Sequence, residues 1–171
     1  MTTHALKTSV RALVGFVLRS GSLSSGGFGS PDRLVEGTRG HQRIQDTRPE
    51  HYQAEVPVSH SVEVDGIALE INGRIDGLLI EGDCVLVEEI KTTERALDPE
   101  KEDVPVHWAQ AKVYASILAI QHDLESVDVQ LTYVQLESLA CHEDRRTFER
   151  EELLAFFEDV ITRYMHWAHV Y

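Results

Sequence analysis

A chain of 171 residues, 42 % hydrophobic and 26 % charged, has the length for one well-cored domain over residues 1–171 and the composition of a globular protein, which excludes disorder and fibrous architectures. Its net charge of −13 argues against a nucleic-acid partner if taken as a whole, because phosphate strands repel an acidic surface. No apolar run approaches the roughly 18 residues of a membrane span, and the N-terminus lacks a signal-peptide core, so a protein with no membrane partner and a cytoplasmic location is expected.

Taken in chain order, Val10, Leu13, Val14, Val17 and Leu18 recur at helical spacing from Ser9 to Leu18, and the Gly/Ser-rich stretch Ser20 to Gly29 then breaks the pattern. Pro31 and Asp32 open a second helix, roughly Asp32 to Asp46, in which Arg33, Gly37 and His41 are spaced to share a face. From Gln53 the period becomes two, with Val56, Val58, Val62 and Val64 alternating against polar residues. Asp65-Gly66 is a hairpin signal, Ile67, Leu69 and Ile71 alternate after it, and Glu81-Gly82-Asp83 separates Leu78–Ile80 from the run Cys84–Val87. These are three strands in meander order. Beyond a polar loop, Thr92 to Pro105, His107 to Gln121 has the composition of a buried helix. Val127, Val129, Leu131 and Tyr133 mark a further strand, a weaker one covers Ser138 to Phe148, and Glu149 to Tyr171 is a closing amphipathic helix. The expected order is α-α-β-β-β-α-β-β-α.

Charge is unevenly spread. Residues 1–50 carry a net +3 and residues 51–171 a net −16, so the N-terminal third, with Arg33, Arg39, Arg43 and Arg48, is the electropositive part; the bland alternative is an ordinary solvated helix face. Cys84 and Cys141, the two cysteines, cannot form a four-cysteine zinc or iron–sulfur site and read as ordinary buried thiols.

The third strand ends in Glu88-Glu89-Ile90-Lys91 where a turn would be usual. Alternation puts Glu89 and Lys91 on one face and Glu88 and Ile90 on the other. On the preceding strand, Gly73-Arg74-Ile75-Asp76-Gly77 sets an acid between two glycines, and antiparallel pairing would bring Asp76 beside the end of its neighbour. Two carboxylates and an ammonium then converge. That set suits phosphodiester hydrolysis, with carboxylate oxygens holding a hard divalent cation that acidifies water, and a lysine to orient the water or stabilise the oxyanion. In isolation, acid-x-Lys at a strand end is more often a surface ion pair.

The wider arrangement resembles the RecB-like nucleases of the PD-(D/E)XK superfamily. EGTRGH (36–41), GRID (73–76), EIK (89–91) and QAKVY (110–114) occur in that family's order, and VEGTRGHQRIQ, GRIDG, VEEIKTT and HWAQAKVYA look like the nuclease domain N-terminal to some superfamily-2 helicases of the DinG/XPD type. The resemblance implies a restriction-endonuclease-like α/β (α+β) fold, a mixed central sheet flanked by helices. It further implies that His41, Asp76, Glu89 and the Ile90 carbonyl ligate Mg²⁺ or Mn²⁺, that Asp76, Glu89 and Lys91 carry the catalysis, and that Gln110 and Tyr114 support the site or contact nucleic acid. Arg39 and Arg43 are candidates for the same supporting role, Arg74 and Glu36 weaker ones. Related CRISPR-associated and AddB-type nucleases often carry an iron–sulfur cluster, which this chain cannot build.

Each residue also has a plainer reading. His41 alone would be a solvent-facing or capping residue, Gln110 and Tyr114 would tie a core helix to a strand, Glu88 would be a structural acid, and Trp108 and Tyr133 are core aromatics before they are stacking platforms. The expected function is a metal-dependent DNA nuclease, an exonuclease on single-stranded DNA in repair or processing. The alternative is a weakly active or inactive DNA-binding or structural domain serving a helicase motor in cis or in trans. Ending in a helix at Tyr171 suits a domain of a longer helicase-nuclease as well as a complete protein.

Overall fold

A computed structural model describes residues 5–19, 31–94, 97 and 105–170, and within them the side chains other than those at 19, 31–37, 169 and 170. The elements are β1 (Leu6–Ser9), α1 (Val10–Arg19), α2 (Pro31–Asp46), β2 (Gln53–Val64), β3 (Ile67–Glu81), β4 (Cys84–Thr93), α3 (Pro105–Gln121), β5 (Ser126–Gln135), β6 (Cys141–Glu149) and α4 (Arg150–Val170). The expected order holds apart from one addition: the chain opens with a short strand, β1, ahead of the first helix. The Ser20 to Gly29 break lies outside the described residues. Among the described residues no helix is long and apolar enough to cross a membrane.

β3 is the spine of a mixed six-stranded sheet. β2 lies antiparallel along one edge of it, from Gln53↔Leu78 to Val64↔Ile67. The Asp65-Gly66 turn between them has φ of 50° and 80°, the doubly left-handed geometry that matches strand twist and favours Asp-Gly. The other edge of β3 is shared. β1 runs parallel to it over Leu6↔Leu69 to Ser9↔Asn72, and β4 antiparallel over Gly77↔Glu88 to Glu81↔Cys84. β4 then continues parallel to β5 as far as Thr93↔Gln135, a pairing that requires the helical crossover supplied by α3. β6 closes the sheet antiparallel to β5.

Helices cover both faces. α1, α3 and α4 pack on one, where Leu13, Ile117 and Leu153 are fully buried, each such side chain contributing roughly 1.5–3 kcal/mol of apolar burial. α3 is apolar nearly all round, as its burial from Trp108 to Ala119 demands. α2 covers the other face, with Ile44 against Ile90 and Val134. Ser9 ends β1 and caps α1, its Oγ accepting from Ala12 N at 3.0 Å.

The expected burial of the thiols is corrected: Cys84 and Cys141 are both exposed. Each is the first residue of a strand entered from a turn, where one side of the chain still faces water. Trp108 and Tyr133 are core aromatics as expected, 7 % and 2 % exposed.

Candidate active site

Between Asn72, where β1 stops pairing, and Gly77, where β4 begins, one edge of β3 has no ladder partner. The next step in the β3–β4 register would join Asp76 to Glu89, and the ladder ends one step short of it. Beyond Glu88, β4 leaves β3 and pairs with β5 alone. A split of this kind strands backbone amides, which must find other acceptors when buried. Asp76 supplies one, its Oδ2 accepting from Ile90 N at 2.8 Å. Tyr114 supplies another from α3, its hydroxyl accepting from Arg74 N at 3.2 Å. Gly73 keeps the tyrosine in place by being small: a Cβ there would lie 2.7 Å from its ring.

A cavity of about 400 Å³ opens at this split, lined by Arg11, Thr38, His41, Asp76, Glu89, Ile90, Lys91, Thr92, Gln110 and Tyr114. The structure thus brings together His41, Asp76, Glu89, Ile90, Lys91, Gln110 and Tyr114. His41 Nδ1 is 3.6 Å from Asp76 Oδ1. Lys91 Nζ lies 3.1 Å from Glu89 Oε1 and donates to Gln110 Oε1 at 2.8 Å. Gln110 thus holds the Lys91 ammonium, and Tyr114 ties α3 to β3 while also lining the cavity.

Three expected supporting residues are absent from the cavity lining. Arg39 and Arg43 line a neighbouring depression with Asp46, Glu94, Glu137 and Leu139. The reason is helical: Arg39 and His41 are two residues apart, about 200° around the axis, so they face opposite ways. The Arg74 side chain is exposed and only its backbone reaches the site. The Glu36 side chain lies outside the described ones. Two charged residues went unread in the sequence. Arg11 on α1 lines the cavity, and Glu55 on β2 places its Oε1 4.0 Å from His41 Nδ1. Neither carries a sequence signal: Arg11 is one polar residue of an amphipathic helix, and Glu55 one polar residue of an alternating strand.

The two neighbouring acids of β4 are treated in opposite ways. Glu88, 1 % exposed, accepts from Arg48 Nε at 3.1 Å, Arg48 Nη2 and Thr132 Oγ1 at 2.5 Å, Tyr52 Oη at 2.7 Å and Gln130 Nε2 at 3.0 Å. It is a structural acid that joins the segment after α2 to the sheet. Glu89, 7 % exposed, has an Oε2 with no hydrogen-bond partner among the described residues. Burial pushes the Glu89 carboxyl up to about 7, with Lys91 opposing and Asp76 reinforcing the rise. Burial also raises Asp76, against the pull of His41, of the Ile90 N–H and of Lys91. A bare buried carboxylate oxygen is costly unless something positive completes it. A divalent cation fits: the ligating atoms of His41, Glu55 and Asp76 lie within 4.8 Å of one another, and Glu89 lines the same cavity.

A mixed sheet flanked by helices, split where two acids and a lysine gather, defines a restriction-endonuclease-like fold. Residues 29–168 match the family model of the PD-(D/E)XK nuclease superfamily, and the chain belongs to it. Nucleases of this superfamily use divalent metal ions. Among solved structures it is similar to SSO0001, at 17 % identity and a TM-score of 0.59, over 95 % of this chain and 78 % of that one, a likeness of fold. It also matches the alkaline exonuclease LHK-Exo from Laribacter hongkongensis at 11 % identity and a TM-score of 0.41, over 95 % of this chain and 92 % of that one. No curated protein matches it.

Proposed function

We propose that the chain is a Mg²⁺- or Mn²⁺-dependent deoxyribonuclease of the RecB-like branch, an exonuclease on single-stranded DNA in repair or processing. The observation that carries this reading is the contrast between Glu88, whose carboxylate is saturated with donors, and Glu89, whose Oε2 is buried without one among the described residues. The preference for single strands and the exonuclease mode rest on the likeness of the EGTRGH, GRID, EIK and QAKVY strings to RecB-like nucleases.

In this reading Asp76, Glu89, the Ile90 carbonyl and His41 hold the cation. When bound, it supplies an acidified water and offsets charge on the phosphate. The chain's own residues do the rest. Lys91, steadied by Gln110 and Glu89, holds proton donors beside the cavity where an attacking water or a phosphate oxygen would sit. Asp76 has a second duty, since the oxygen that accepts from Ile90 N also fixes the spacing of the two strands. An imidazole among oxygen donors suits Mn²⁺ at least as well as Mg²⁺.

The net charge of −13 favours a second reading, in which a helicase motor in cis or in trans supplies DNA affinity and cleavage by this domain is weak. End-labelled single-stranded and duplex DNA, incubated with Mn²⁺, Mg²⁺ or chelator, tests both. The first reading expects metal-dependent product with Mn²⁺ at least matching Mg²⁺, reduced on the order of 100-fold or more in Asp76→Ala and in Lys91→Ala. Product that survives both substitutions, or a parent chain that cleaves nothing with either metal, sinks it.

A further inference from the structure

Glu55 is the third residue of β2, yet its φ is 55°, the left-handed region that L residues with a Cβ disfavour. Ala54↔Gly77 and Val56↔Ile75 are in register on either side of it, so the step that breaks is the one joining Glu55 to Asp76. The side chain delivered there belongs to a cluster. Its Oε1 accepts from Gln45 Nε2 at 3.0 Å, and the same amide donates to Asp76 O at 2.9 Å, which holds the two acidic residues side by side. Glu55 Oε1 is 4.0 Å from His41 Nδ1.

Oxygen and nitrogen donors at about 2.0–2.2 Å from an ion sit about 3–4.3 Å from each other. The 4.8 Å spread of the His41, Glu55 and Asp76 donors closes to that with a small side-chain rotation. An independent sign that this space takes a cation is the unpartnered Oε2 of Glu89, a residue 7 % exposed that lines the same cavity. Lys91 balances the Glu89 end, 3.1 Å from its carboxylate. At the Glu55 end, His41 lies 4.0 Å away and carries positive charge only when protonated.

We propose that Glu55 is a fourth side-chain donor to the cation site, joining His41 and Asp76 across the β2–β3 pair and complementing Glu89 on β4. The proposal rests on the nuclease reading. It accounts for the strained conformation, since the backbone departs from the ladder at the one residue whose carboxylate is directed to the site. The rival role is structural, with Glu55 serving only as the acceptor for Gln45 or as an ion-pair partner of protonated His41.

Calorimetric titration of Mn²⁺ into the parent chain, Glu55→Gln, Glu55→Gly and Gln45→Ala distinguishes them, with a thermal melt of each. Glu55→Gln keeps an acceptor for Gln45 and removes only charge. Glu55→Gly relieves the left-handed backbone, so it melts at or above the parent and keeps the test open if the glutamine variant folds poorly. Both are expected to weaken Mn²⁺ binding on the order of tenfold or more, with Gln45→Ala closer to the parent. Unchanged Mn²⁺ affinity in both Glu55 variants overturns the proposal and leaves the nuclease reading standing. A parent chain that binds no Mn²⁺ overturns both.

Discussion

At position 89 one carboxylate sets a conflict between stability and function. Its ionised form is buried beside a second acid, so the folded chain holds the proton up to about pH 7, against an ordinary value of 4.5. Between those values the folded state binds more protons than the unfolded one, and stability therefore falls as pH rises from about 4.5 to about 7 and stays lower above it. Glu89→Gln removes that loss. With chelator present, the variant is expected to gain on the order of 1–3 kcal/mol over the parent at pH 8, and much less at pH 5. The comparison must be between variants at each pH, because half-buried His107, held down to about 4 by burial and by Lys91, destabilises both chains as pH drops below its ordinary range. In Mn²⁺ the order should reverse, since ligand binding stabilises only a chain that can hold the ion. Chemical denaturation at the two pH values reads the difference directly, and an equal gain at both would mean that Glu89 is not the strained acid described above.

At the scale of elements, the site exists because β3 and β4 part beyond the last of their five shared rungs. That rung, Gly77↔Glu88, is packed from the side by Tyr52, whose hydroxyl donates to Glu88 and occupies the space a Cβ at Gly77 would need. Gly77→Ala must displace Tyr52 or shift the rung, and is expected to destabilise by about 1–3 kcal/mol. Gly15→Ala, in α1 with open space around it, should instead stabilise by roughly 0.5–1 kcal/mol. A Gly77→Ala chain that melts with the parent would show the rung to be slack. This rung also marks how far the sequence could be read. Alternation in β2, in the first half of β3 and in β5, the Asp-Gly turn and the converging acids and lysine were legible because period and turn chemistry are local. β1 was not, because its four residues are mostly exposed and carry no alternation, and what makes it a strand is the free edge of β3. Glu55 was hidden for a related reason: its left-handed φ follows from what lies across the ladder. The positions of Arg39 and Arg43 beside the cavity were not legible because the charge of a segment says nothing about which side of α2 each residue takes.

Over the whole molecule the field is acidic, with −16 from residues 51–171 against +3 from the N-terminal third. If a strand of DNA reaches the cavity past Arg11 at its wall and the depression that Arg39 and Arg43 line, those arginines would meet its phosphates. Phosphate contacts release counterions, so each contact to a single strand adds about −0.7 to the slope of log affinity against log salt. Two or three arginines would give a slope of only about −1.4 to −2.1, and hence weak binding by the chain alone. The measurement is anisotropy of a labelled single strand, titrated with the cleavage-impaired Lys91→Ala chain in Mn²⁺ across a range of salt. Adding Arg39→Ala and Arg43→Ala should lower affinity alike for every sequence and flatten the slope by about 1.4. If the slope is unchanged, the strand does not pass α2, and the electropositive third of the chain is only a solvated helix face. If the slope of the chain bearing Lys91→Ala alone is far steeper than about −2, basic residues other than Arg11, Arg39 and Arg43 must contribute contacts, and the case for an attached motor as the source of affinity weakens with it.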